Sequence, residues 1–541
     1  MSLIITSLVY FLVFIVLTTK ELITENYDHD IDQFMYFGSR ILHGELIWTK
    51  EFDDKSPVLQ YIFSLPAAFK STNIFVLITL IIALTSAYMG YMMLKNMLKN
   101  FELDINKKTE KSILYFCIIL YLTLLVCIYG SLHHINALSS SLCLITIALT
   151  YLNKKKKNKL IINISAITSA ISISIRPYYL LGIVALPLWI SIREEKFKLK
   201  HKEKKRIKAY FEYAQSQFYW ILLITFYITI FNLTPYILNG NIADFMNGIK
   251  LNSIDYVNHN IFVRQYINIG RNPILYPILL GMVSLPLIRI FFGKTFIKYY
   301  RNKKKGIEKL HKVDIDIVFF GIISPMLLEI MFYRKHFFGH YFTLFTPYIL
   351  ISFVILLSLI ARLNKTIPNL IFFKVITKSI FSMLLIVCLI TNQSLPKTLN
   401  ELTGKKESSK SFKVQLIKEF IDQKRIKNEK IGFLAPNSNY IHWKLDESRH
   451  GFPQKAVFRN ISKGKMDDLI IKYEMLDFKF LLPTKNKLCQ TLIKNAPQYI
   501  ITENNDYSFQ CLKQRSSKYK LISSTQELND NNIFIFKKWD E

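Results

Sequence analysis

Apolar residues in this chain are gathered into long blocks instead of being spread at the spacing of a soluble core. Ile74–Leu84, Ile113–Val126 and Tyr348–Ile360 are examples, and Lys-rich stretches separate them. Such blocks recur up to residue 392. A helix needs roughly 20 mostly apolar residues to cross the hydrocarbon core of a bilayer. The pattern predicts eleven spans, at 3–18, 73–94, 113–130, 135–152, 160–175, 178–192, 217–239, 273–293, 313–333, 341–361 and 370–391. An ordinary soluble enzyme and a disordered chain are both excluded. The first block, Leu3–Thr18, has no basic lead-in and no small-residue cleavage pattern after it, so it reads as a retained signal anchor.

Beyond residue 393 the pattern changes. A polar linker (393–411) precedes a helical stretch, Phe412–Gln423, and then strand-like runs at Ile431–Leu434, Phe478–Leu482, Tyr499–Thr502 and Ile533–Phe536. Residues 412–541 therefore read as a small α/β domain. The fold expected is a polytopic α-helical membrane module over 1–392, with a first outer loop at 19–72, followed by that domain.

Charge fixes the expected sidedness. The chain has 541 residues and a formal net charge of +31. Much of the excess lies in short loops, where Lys and Arg set topology, and that location argues against nucleic acid as the partner. With the N-terminus in the cytoplasm, the inner loops are 95–112, 153–159, 193–216, 294–312 and 361–369, and together they carry +21. The first outer segment, 19–57, holds four basic and nine acidic residues. An odd number of spans then puts the C-terminal domain outside the cell membrane. Cys117, Cys127, Cys143 and Cys388 fall in apolar blocks, while Cys489 and Cys511 could pair if their region is outside. No Cys or His spacing suggests a metal site, and no cofactor is expected; a divalent metal stays possible.

The first outer loop holds the most unusual chemistry. Asp28, Asp30 and Asp32 crowd the mouth of the first span, and Phe34, Phe37, Ile41 and Leu42 follow at helical spacing. That spacing predicts an amphipathic helix lying in the membrane interface. Clustered carboxylates disfavour one another's ionisation, which raises a pKa toward that of a useful base. A solvated acidic face that only reports an outer location is the plainer reading of the same residues.

This loop resembles the first extracytoplasmic loop of the GT-C membrane glycosyltransferases, specifically bacterial relatives of protein O-mannosyltransferases and aminoarabinose transferases. Asp30 falls at the first acid of their pattern, Ile41-Leu42-His43-Gly44 at their turn, and Asp53-Asp54-Lys55-Ser56-Pro57 at their Asp-x-Lys-x-Pro element. Arg176-Pro177, Gly339-His340-Tyr341 and the region around Ala496–Ile501 add weaker echoes. The second acid of the pair falls on Ile31, and a further acid usual after the third span is missing from His133–Leu138. Asp28, Asp32 or Glu329, which stands near the outer end of a span, are its possible replacements.

The resemblance implies transfer of a sugar from a polyprenyl-phosphate donor to an envelope glycan, lipid or protein acceptor on the outer face. Asp30 is then the general base, with Asp32 and Asp28 as rivals. The leaving phosphate needs cations: Lys55 first, then Arg176, Arg264, Arg271, Arg334 and His340, with Tyr341 as a further phosphate-binding candidate and Asp53 and Glu329 as other site candidates. Loop 240–272, with Asp244, Asp255, His259 and Arg264, is long enough to fold over a site as a lid. The competing classes are a flippase or transporter of polyprenyl-linked glycan and a catalytically silent assembly protein on the same scaffold.

Overall fold

The computed structural model describes residues 3–23, 29–49, 56–100, 105–127, 131–153, 158–177, most of 179–187, 203–254, 339–366 and most of 416–423. It also describes 431–433, 498–503, 519–522 and 533–538. Over these residues the apolar blocks fold as helices: α1 (Leu3–Ile23), α2 (His29–Leu42), α3 (Val58–Ala68), α4 (Thr72–Asn100), α5 (Lys107–Cys127) and α6 (Ile135–Asn153). They continue with α7 (Lys159–Ile175), α8 (Glu203–Asn232), α9 (Thr234–Leu238), α10 (Ile242–Ile254) and α11 (Thr346–Thr366), the last preceded by a 3₁₀ helix, Gly339–Phe345. Among the described residues four helices are long and apolar enough to cross a membrane: Ile4–Leu22, Thr72–Asn100, Lys107–Cys127 and Ile135–Asn153. That is the make-up of a helical membrane protein. The expected spans at 273–293, 313–333 and 370–391 lie outside the described residues.

The chain divides into two compact units. The first comprises residues 1–26, 76–230 and 258–396, and the second 27–75, 231–257 and 397–541.

In the first unit α1 packs on α5, α6 on α7, and α11 on α5 and α6. Tyr10 meets Phe116 edge-on, with ring centroids 6.0 Å apart. Thr123 donates across to the Tyr10 carbonyl at 3.0 Å. The α6–α7 contact is a seam of hydroxyls: Ser139 donates to the Ser172 carbonyl, and Ser172 donates back to that of Ser139. Thr146 pairs with Thr168, and Thr150 with Ser165, both at 2.9 Å. Small hydroxyl residues let helix backbones approach closely and satisfy one another where lipid supplies no partner.

In the second unit α2 packs on α3. Gly38 permits the approach, because a Cβ there would overlap the backbone carbonyl of Phe63. Phe34 packs on Phe63, and Phe63 stacks on Phe75 at 4.3 Å. From Ile31 to Arg40 every residue of α2 except Gln33 is buried. The helix expected to lie in the interface with one wet face is instead enclosed, with Asp32, Ser39 and Arg40 inside among its apolar residues.

The same unit contains a four-stranded sheet in the order β1-β2-β4-β3, from Ile431–Phe433, Tyr499–Glu503, Tyr519–Ile522 and Ile533–Lys538. β1 runs parallel to β2, and the other two pairings are antiparallel. Ile501, Ile533 and Ile535 form an apolar cluster with Leu416 and Ile417. Three of the predicted strands are present, Phe478–Leu482 lies outside the described residues, and Tyr519–Ile522 was not foreseen.

Candidate functional site

The first-loop residues are organised by two turns and one buried amide. α2 stops where its apolar spacing ends, at Gly44, whose φ of +76° is costly for residues with a Cβ. There the Glu45 amide reaches the Arg40 carbonyl and the Gly44 amide the Ile41 carbonyl. This is the Schellman arrangement that closes a helix. The recognised turn at residues 41–44 is therefore a helix stop. The chain next passes through Trp48, at φ +70° and 3% exposed. A bulky residue in that region is held there only by its surroundings. Trp48 packs against Tyr236 and Phe245, and Gly248 leaves room for the indole.

Gln60 of α3 pins this loop. It is 1% exposed; its side-chain oxygen accepts from the Ile47 amide at 3.0 Å, and its amide nitrogen donates to the Glu45 carbonyl at 3.4 Å. The Tyr236 hydroxyl donates to the Ile47 carbonyl. Ser56, in the recognised Asp-x-Lys-x-Pro element, donates to the Asn232 side-chain oxygen at 2.7 Å and leads directly into α3. The region read from sequence as a lid is, in its first half, the helix α10, and its Phe245 and Gly248 meet Trp48.

Of the proposed acids, Asp30 stands in the first turn of α2, where negative charge suits the exposed amides of a helix start. Asp32 is two residues on and 1% exposed. Asp28, Asp53, Lys55, Glu329 and Arg334 lie outside the described residues.

The first unit brings together two residues proposed for the donor phosphate. Arg176 is the cap residue at the C-terminal end of α7, and its backbone amide donates to the Ser172 carbonyl. Its Nε donates to the Asn136 side-chain oxygen at 2.6 Å, and its guanidinium lies 5.5 Å from the Tyr341 ring centre. Three contacts hold the 3₁₀ turn that carries Tyr341 and His340 and the start of α11 that follows it. Tyr179 donates to the Leu344 carbonyl at 2.7 Å, Ser140 pairs with Thr346 at 2.7 Å, and Gly182 leaves space for the Tyr348 hydroxyl. A guanidinium fixed through Nε and set over a ring suits planar recognition of phosphate or carboxylate.

The structure adds an acid that sequence reasoning missed. Glu21, near the end of α1, is 7% exposed, and its carboxylate accepts from the Leu132 amide at 2.7 Å. The Ser131 hydroxyl and the His133 amide also bond to it. Glu21 thus holds the loop that opens α6, with His134 at the end of that loop and Asn136 in the first turn of the helix. His134 Nδ1 accepts from the Asn136 amide at 3.1 Å. In the sequence Glu21 sits in Thr18-Thr-Lys-Glu, which reads as the polar flank of a span. Among the described residues no group of three or more His, Cys, Asp or Glu gathers as metal ligands would. Comparison with family models and with curated proteins finds no match.

Burial lowers the His133 pKa from 6.5 to about 4. Between those values the unfolded chain binds a proton at His133 that the folded chain refuses, so the contribution of this residue to stability falls as pH drops from about 6.5 toward 4. Across that range the thermal midpoint of the detergent-solubilised wild type is expected to fall relative to that of His133→Gln. Parallel profiles of the two would reassign the effect to other groups.

Proposed function

We propose that this chain is an integral membrane glycosyltransferase with GT-C-like architecture. It moves a sugar from a polyprenyl-phosphate donor to an envelope acceptor on the outer face. In this reading about eleven helices cross the cell membrane, the N-terminus is cytoplasmic, and the C-terminal α/β domain is extracytoplasmic and helps recognise the acceptor. Breaking a glycosyl-phosphate bond builds positive charge on the sugar and negative charge on the departing phosphate. Asp30 takes the proton of the acceptor hydroxyl, and fixed cations stabilise the phosphate.

The observation that supports the reading most is the paired hold on Arg176. Asn136 fixes its Nε, and Tyr341 lies against its guanidinium, although the two partners come from segments far apart in the chain. The build of the first loop adds support, since the recognised turn is a true helix stop and the recognised Ser56-Pro57 opens α3.

The test is transfer by the purified protein in liposomes, with a polyprenyl-phosphate hexose as donor and an extract of the cell envelope as acceptor. Release of polyprenyl phosphate together with a hexose-sized mass gain on one envelope polymer is the expected result. Movement of the intact lipid-linked sugar between leaflets, without its cleavage, would replace this reading with the flippase. Neither event, from a protein whose deletion still strips sugar from the envelope, would favour the silent assembly protein.

A further inference from the structure

Large apolar side chains left exposed in this protein follow a habit. On α1 they include Leu8, Leu12 and Val16, and on α4 Leu77, Ile81 and Leu84. Spacing of three to four residues puts each set along one side of its helix, as lipid-facing side chains of a span should be. The same habit continues where the chain has left its apolar helices. The apolar half of α8, Gln217–Asn232, ends two residues before α9 begins. On α9 and α10, Leu238 is 80% exposed, Ile242 47%, Met246 48% and Ile249 44%. Positions 242, 246 and 249 share one face of α10.

The neighbouring face of α10 is already covered, because Phe245 and Gly248 lie against Trp48. A helix apolar over two adjoining faces is stable only when both are covered. With 13 residues, α10 is about 20 Å long at 1.5 Å per residue, too short to cross a hydrocarbon core of about 30 Å. It can lie on a bilayer but cannot pass through one.

We propose that the helix pair Thr234–Leu238 and Ile242–Ile254 is a bilayer-surface anchor, seated among lipid headgroups and upper acyl chains through Leu238, Ile242, Met246 and Ile249. The bilayer is its occupant because the chain enters the pair directly from the apolar half of α8, and because its bare face repeats the pattern of the helices long and apolar enough to cross. The anchor has a second consequence. Its inner face holds Trp48, so the loop that runs from α2 toward Asp53 and Lys55 is tied to a helix resting on lipid. This inference does not depend on which reaction the protein performs.

The experiment uses full-length protein in nanodiscs of phosphatidylethanolamine and phosphatidylglycerol. Ile242→Cys, Met246→Cys and Ile249→Cys carry a nitroxide label, with Ala243→Cys as the exposed position off the apolar face. Cys388, Cys489 and Cys511 are replaced by Ser; Cys117, Cys127 and Cys143 are buried and stay. Labels at 242, 246 and 249 should collide more with oxygen than with water-soluble nickel chelate, and the label at 243 should show the reverse order. Wild-type protein in liposomes with a diazirine-bearing phospholipid supplies an independent reading, in which lipid adducts should map to 237–249. Nickel access at 242, 246 and 249 equal to that at 243, without lipid adducts, overturns the anchor. Protection from both reagents, with cross-links only to protein, overturns it as well, since another protein surface then covers the face.

Discussion

On the proposed function, Asp30→Asn is expected to lower the rate of sugar transfer by about 10²–10⁴-fold while leaving the protein folded. The size follows from the role, since the amide keeps the shape of the carboxylate but cannot take a proton. That loss corresponds to roughly 3–5 kcal/mol of barrier at 1.36 kcal/mol per tenfold. The structural cost is much smaller. An acid in the first turn of a helix is worth about 0.3–1 kcal/mol to the helix dipole, and Asn is tolerated well at helix starts. Activity and stability should therefore separate: single-turnover transfer collapses, and the thermal midpoint moves little. Asp32 supplies the contrast. A helix advances about 100° per residue, so positions 30 and 32 lie on opposite sides of α2, and Asp32 is almost wholly buried. Asp32→Asn should cost stability first. If it instead abolishes transfer with an unchanged midpoint, and Asp30→Asn does not, the base is Asp32 and not Asp30.

Gly38→Ala is expected to destabilise the second unit by about 1–2 kcal/mol or more net, against the direction of helix propensity. Alanine favours a helix interior over glycine by about 1 kcal/mol, so propensity alone predicts a gain. The packing decides otherwise, because the new Cβ would overlap the Phe63 carbonyl. Backbone cannot rotate aside as a side chain can, so α2 and α3 must part, and overpacking of this kind costs about 1–3 kcal/mol or more. The pair Phe34–Phe63 would open with it. Gly90 on α4 is the matched control: its Cβ would meet the Cδ2 of Leu144 at 3.2 Å, a methyl that can turn. Gly90→Ala should be close to neutral. Limited proteolysis within 29–68, together with the thermal midpoint, reads both variants, and equal behaviour of the two would refute the argument.

Helices of the first unit were legible where one physical pattern dominated. The block at 135–152 appears as a helix at 135–153, and that at 160–175 as one at 159–175. Elsewhere the apolar block understated the helix. α4 runs on to Asn100, α5 starts at Lys107 and α8 at Glu203, because backbone hydrogen bonding continues after the side chains turn polar. Hydropathy measures the bilayer, not the helix. Tyr519–Ile522 escaped notice because four residues with a Lys among them carry little signal; pairing with β4 makes the strand. In the candidate site, Arg176 and Tyr341 were named from resemblance, but their contact depends on packing. Glu21 went unrecognised because its partner is a backbone amide more than a hundred residues away, and no side-chain pattern announces a backbone donor.

The hydroxyl seam between α6 and α7 also bears on how the protein is made. Asn153 and Asn158 close the turn between the helices through two reciprocal bonds, and a run of four lysines lies between them. With Ser139, Thr146 and Thr150 already matched by Ser172, Thr168 and Ser165, the pair brings few unmet polar groups into lipid. It can leave the insertion machinery as one preassembled hairpin before the distant segment around Thr346 has been translated.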